Sequence, residues 1–134
     1  MSEQLHELGA VRQRELLARE ELSPVDLAAA YLDRIDADGG RSGAFITVTP
    51  EAALERARRL EREPSARTRR GDRLASPLWG MPFADKDLEP RAGVRTTFGS
   101  RAFAGFLPEE SSPLVDTMDA AGGVSLGKTN TPEF

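Results

Sequence analysis

The chain has 134 residues, a formal net charge of −4, one histidine (His6) and no cysteine. This length suffices for one domain with a core. The absence of cysteine excludes disulfides, thiolate chemistry and zinc–thiolate sites. A lone histidine near the N-terminus argues against a histidine-based triad, and the acidic balance argues against a nucleic-acid partner.

The N-terminal half reads as helices. Leu5, Leu8, Val11, Leu16 and Leu17 give a ragged amphipathic pattern up to about Leu22. Ser23-Pro24-Val25-Asp26 is a helix start: serine caps, proline suits the first helical position and aspartate favours the first turn. Val25, Ala28, Ala29, Leu32 and Ile35 then form one face, and Gly39-Gly40 ends it. Ala44-Phe-Ile-Thr-Val48 predicts a strand. Thr49-Pro50-Glu51 opens a further helix to about Arg62, with Ala53, Leu54, Ala57 and Leu60 inward. Eight arginines fall between Arg56 and Arg73. Glu55, Glu61, Glu63 and Asp72 are interleaved with them, so Pro64 to Ser76 reads as a solvated Arg-rich loop rather than a contact for RNA.

The C-terminal half changes character. Met81 to Lys86 reads as a strand, and Gly93 to Gly99 as an extended segment. Ser112-Pro113 opens a capped helix carrying Leu114, Val115 and Met118, Gly122-Gly123 closes it, and Val124 to Leu126 is a short strand. Thr131-Pro132-Glu133 repeats the helix-start pattern one residue before the sequence stops, which reads as a truncation. One domain is therefore expected: 1–63 mostly helical, 64–76 an Arg-rich loop, and 77–134 a strand/helix segment. Helices followed by strand–helix–strand argue for an α/β fold with short parallel strands. The N-terminus has no basic and apolar leader, and no apolar run approaches ~18 residues. A soluble cytoplasmic protein is the resulting expectation.

Sixteen arginines and only two lysines, Lys86 and Lys128, make the lysines conspicuous. Arginine stays charged, whereas a buried lysine can lose its proton and act as a base. The bland reading of Lys86 is an ordinary surface or salt-bridged lysine. Lys128 reads as structural, packing its stem or bonding carbonyls. Asn130 reads as turn chemistry or a brace for a loop, Gly99 and Gly127 as sites of tight backbone geometry, and Trp79 and Phe83 as core.

Five segments in order resemble the amidase signature enzymes: Ser23 to Ile35, Ala44 to Val48, Pro77-Leu-Trp-Gly-Met-Pro-Phe-Ala-Asp-Lys-Asp87, Thr96-Thr-Phe-Gly-Ser100, and Ala120 to Phe134. That family includes general amidases and the A subunit of the glutamyl/aspartyl-tRNA amidotransferase. The resemblance implies the first strands and helices of a mixed sheet, and it places Lys86 as the lysine of a Ser–cis-Ser–Lys triad. There a nucleophilic serine attacks a carboxamide, a bridging serine relays its proton and a buried neutral lysine takes it. Backbone N–H groups of a Gly-rich turn hold the oxyanion. Neither a metal nor an organic cofactor is implied, and the substrate would be a small amide.

Two departures matter. The Gly/Ser-rich segment that carries both serines lies beyond Phe134, so the chain corresponds to roughly the N-terminal third of the family and is expected to lack a complete triad. Ser76, Ser100, Ser111, Ser112 and Ser125 do not replace it, since none sits in a Gly-rich elbow. Asp85 stands where the family has an apolar residue. With Asp87 it flanks Lys86, and two nearby carboxylates oppose a base role unless a strand turns them to the other face. Three readings stay open: part of a stand-alone amidase, an amidotransferase A-subunit-like portion, or a non-catalytic remnant. The strands alone present open edges, which favours a homo-oligomer or a second chain that supplies the missing portion.

Overall fold

The computed structural model describes residues 5–63, 69–70, 73–74 and 76–132. Four α-helices, α1 (Ala10–Ala18), α2 (Pro24–Asp38), α3 (Pro50–Arg62) and α4 (Pro113–Ala120), accompany strands β1 (Phe45–Val48), β2 (Arg69–Arg70), β3 (Arg73–Leu74), β4 (Pro82–Lys86) and β5 (Val124–Thr129). The main sheet has the order β1-β5-β4. β4 and β5 are parallel, joined through α4, while β1 runs antiparallel to β5. The sheet is therefore mixed, as the resemblance implied. The short parallel strands read from element order are β4 and β5, and the antiparallel course of β1 was not read from its four residues, which carry no signal of direction.

The capping chemistry sets the helix ends. Ser23 Oγ accepts from the Asp26 N–H at 3.0 Å, Pro24 takes the first turn, and Gly39 closes α2 at φ 57°. Ser112 Oγ accepts from the Val115 N–H in the same way at α4. In α2 the buried face centres on Leu27, Ala28 and Leu32, with Val25 and Ile35 partly buried beside it. Leu27 was absent from the predicted face and is its most buried leucine. It packs with Ala53, Ala57 and Leu60 of α3, and with Trp79, Val124 and Leu126, in one core.

The first predicted helix is corrected. A 3₁₀ turn at Leu5–Glu7 precedes Gly9, and α1 starts at Ala10. Val11 is 75 % exposed, whereas Gln13 is buried. The Gln13 amide donates to the Leu5 and Leu8 carbonyls, satisfying groups the broken helix leaves open. The expected Arg-rich loop is corrected too: β2 and β3 pair antiparallel within it. The remainder of that loop, 64–68, 71–72 and 75, lies outside the described residues. Thr131 and Pro132 are not helical, and Glu133 and Phe134 of the predicted helix start also lie outside the described residues.

β5 runs past Leu126 to Thr129 and is buried along most of its length, which carries Lys128 into the interior. Gly127 takes φ 143°, and a Cβ there would lie 2.2 Å from the Thr47 carbonyl oxygen. This close approach lets β1 lie against β5.

Candidate active site

Lys86 is the last residue of β4, an outer strand of the main sheet. The alternation of a strand separates it from its neighbours: Asp85 is 6 % exposed and Asp87 fully buried, while Lys86 is exposed. The Lys86 amine makes no hydrogen bond or ion pair among the described residues. On this chain, then, the lysine is not buried as the triad of the resemblance requires, because an outer strand's end has one open side. Neither flanking carboxylate faces it unpaired.

Asp85 is bound by Arg91, with Nε to Oδ2 at 2.6 Å and Nη2 to Oδ1 at 3.2 Å, and by the Ser125 hydroxyl at 2.8 Å. Arg91 also reaches Asp119 of α4 at 2.8 Å and lies over the Phe83 ring at 5.7 Å. Burial works to lower the arginine pKa, but the hydrogen bonds to Asp85 and Asp119 outweigh it and hold Arg91 above the ordinary arginine value. Phe83, read as core, is instead half-buried beneath this guanidinium.

The network makes a stability prediction. Arg91→Met strands a buried carboxylate and should cost about 3 kcal/mol. Asp85→Val with Arg91→Met should restore the urea midpoint to within about 1 kcal/mol of wild type, since replacing a buried pair by apolar groups is near neutral. Equal midpoints for the single and double variants would contradict it.

Asp87 is held from three sides. Its N–H donates to the Thr129 carbonyl at 3.0 Å, and its carbonyl accepts from the Phe98 N–H at 3.1 Å. Its Oδ2 accepts from the Thr97 N–H at 3.0 Å and from the Thr97 hydroxyl. Its Oδ1 is 3.9 Å from Lys128 Nζ. Lys128 is fully buried and donates to the Glu89 carbonyl, as the carbonyl-bonding reading expected. Burial lowers its pKa, against the opposing pull of Asp85 and Asp87.

The five serines are each engaged elsewhere. Ser76 donates to the Ala121 carbonyl and Ser125 to Asp85. Ser100 caps a 3₁₀ turn, Ser111 accepts from the Ala92 N–H, and Ser112 caps α4 and donates to Glu89. Asn130 joins both of its predicted roles: Oδ1 accepts from the Thr131 N–H, and Nδ2 donates to the Gly43 carbonyl. Trp79 is 2 % exposed in the core. Gly99 takes φ 72°.

The sequence reading missed Arg91, and it missed the pairing of Asp87 with Thr97 and Lys128. The one signal in reach was the arginine bias, which singled out both lysines: Lys86 at the exposed end of β4 and Lys128 buried against Asp87. Among the described residues no three of His, Cys, Asp or Glu come together as a metal ligand set. No described helix is long and apolar enough to cross a membrane. One groove, about 890 Å³, is walled by Leu32, Ile35, Phe45, Val48 and Leu54 and is lined by neither lysine.

A strand-end lysine and a mixed α/β sheet accord with the resemblance drawn from the sequence. The model of the Amidase family matches residues 26–134, and the chain belongs to that family. The A subunit of glutamyl-tRNA(Gln) amidotransferase from Salinispora arenicola is 43 % identical over 130 residues, covering 97 % of this chain and 26 % of that protein. Its counterpart of the same name from Moorella thermoacetica is 42 % identical over 131 residues, covering 98 % of this chain and 26 % of its own length. The solved structure of native peptide amidase from Stenotrophomonas maltophilia superposes with a TM-score of 0.80 at 35 % identity, covering 95 % of this chain and 25 % of that one. The chain thus spans about a quarter of the length of the curated relatives it matches, less than the third expected.

Proposed function

We propose that this chain contributes the general base, Lys86, to a serine-dependent amide hydrolase, acting on a carboxamide as one part of a complete Ser–cis-Ser–Lys site. The supporting observation is the isolation of Lys86. Its amine stands exposed at a strand end, while Asp85 and Asp87 are buried with partners of their own. An amine so separated from the carboxylates beside it in sequence is free to meet a hydroxyl brought to that strand end.

The chemistry would run as acyl transfer. A serine attacks the amide carbonyl, Lys86 takes its proton through the bridging serine, ammonia or an amine leaves, and water releases the acid. The serines and the oxyanion donors belong to the rest of such a site. No metal or organic cofactor takes part in this reading, and the setting is the cytoplasm.

The relatives named as amidotransferase A subunits favour a second reading, in which water still releases the acid but the ammonia passes to a partner-bound acceptor rather than into solution. Ammonia release from glutamine and from simple carboxamides by the complete gene product, with and without the chains that co-purify with it, separates the two. Partner-independent hydrolysis of simple amides supports the stand-alone amidase. Glutamine-specific release that needs a partner supports the amidotransferase reading. No release under any condition would sink both and leave a non-catalytic remnant.

A further inference from the structure

The fully buried lysine is the feature the fold explains least. Lys128 sits in the middle of the sheet with an exposure of 0 %, yet its partners are poor. Its Nζ reaches one backbone carbonyl and stands 3.9 Å from Asp87 Oδ1, an atom with no hydrogen-bond partner among the described residues. Withdrawing two charges from water is repaid only by close, fully hydrogen-bonded pairing. A methionine of similar length would fill the same space without that cost. Stability therefore gives little reason for the charge, in a chain that elsewhere uses arginine for all but one of its cations.

What the ammonium touches supplies a reason. Lys128 donates to the Glu89 carbonyl, and the Glu89 N–H in turn donates to the Lys86 carbonyl at 2.9 Å. The same ammonium faces Asp87, which follows Lys86 directly and is fixed by Thr97 and Thr129. Lys128 also pairs in register with Asp85 across β4 and β5. The start of α4 holds the far side of this turn, through the Ser112 hydroxyl to Glu89 at 2.7 Å and the Ser112 N–H to the Pro90 carbonyl at 2.9 Å.

We infer that Lys128 is a positioning residue for Lys86: with Asp87 and Thr97 it forms a buried clasp that fixes the turn after β4 and balances the charge of Asp87, the residue that follows Lys86 in the chain. This inference rests on the amide-hydrolase reading of Lys86. The other charged groups around the Lys128 amine are Asp85, Glu89 and Arg91, with Asp119 behind Arg91.

The test uses the complete gene product and a simple carboxamide. Lys128→Met should lower kcat roughly 10- to 100-fold with KM nearly unchanged, the loss expected when a reacting group shifts by about an ångström. It should also move the rising limb of the kcat–pH profile to higher pH, because the unbalanced Asp87 carboxylate favours the charged amine. Asp87→Asn should move the same limb to lower pH, because Lys128 then stands unbalanced. Lys128→Met with Asp87→Asn should return the limb to its wild-type position, and this double variant carries the test if Lys128→Met fails to fold. Limbs that move the same way in both single variants would overturn the inference, as would an unchanged kcat alongside a changed unfolding midpoint. A Lys86→Ala variant separates the two claims. If Lys86→Ala keeps its rate, the amide-hydrolase reading falls. If only Lys86→Ala loses it, the clasp alone falls.

Discussion

Lys86→Ala should silence amide hydrolysis by the complete gene product and leave its stability almost unchanged. The two halves of this expectation come from different observations. Lys86 is exposed and makes no side-chain hydrogen bond or ion pair among the described residues, so truncating it forfeits little packing. Surface changes of this kind fall within about 0.5 kcal/mol. A positioned general base, by contrast, is worth roughly 10²- to 10⁴-fold in rate. Lys86→Arg should be nearly as inactive, because a guanidinium keeps its charge and cannot accept the proton. The check is steady-state ammonia release alongside thermal unfolding. A shifted Tm with an intact rate would mean that Lys86 is an ordinary surface lysine.

Gly127→Ala should be the most damaging glycine-to-alanine change among the described residues. The added Cβ would lie 2.2 Å from the Thr47 carbonyl oxygen and 2.9 Å from Val48 Cα, both backbone atoms of the paired strand. Neither can swing aside as a side-chain tip can. At φ 143° an L side chain is also strained before it meets anything. Strain and overpacking at about 1–3 kcal/mol each put the total near 4 kcal/mol. Relief requires β1 to leave β5, and β1 carries the Arg95 contacts to the Ile46 carbonyl and the Thr47 hydroxyl. Soluble yield and the urea midpoint read the effect, and a midpoint within about 1 kcal/mol of wild type would show that the strands can part cheaply.

The elements that local chemistry specifies were legible in advance. Ser23-Pro24 and Gly39 bound α2, and Ser112-Pro113 opens α4, because caps act within a turn of their own position. Lys128 was legible as a structural lysine, and Asp85 as a residue turned away from Lys86, because the two-residue period of a strand fixes faces. What stayed hidden depends on contacts far along the chain. The partners of Asp85 are Arg91 and Ser125, the latter 40 residues away, and Arg91 links onward to Asp119. No periodicity announces such pairings. The antiparallel course of β1 was likewise invisible in four residues, as was the inward turn of Gln13 in place of Val11, which needed the carbonyls of a broken helix to attract it. The exposure of Lys86 follows from its place at the end of an outer strand.

A fluorophosphonate tests the central claim without knowledge of the substrate, since it phosphonylates a serine that a neighbouring base has activated. Applied to the complete gene product, it should label one serine outside residues 1–134, and Lys86→Ala should abolish the labelling. Labelling of Ser76, Ser100, Ser111, Ser112 or Ser125, or labelling of Lys86→Ala at the wild-type rate, would contradict the assignment of Lys86 as the base.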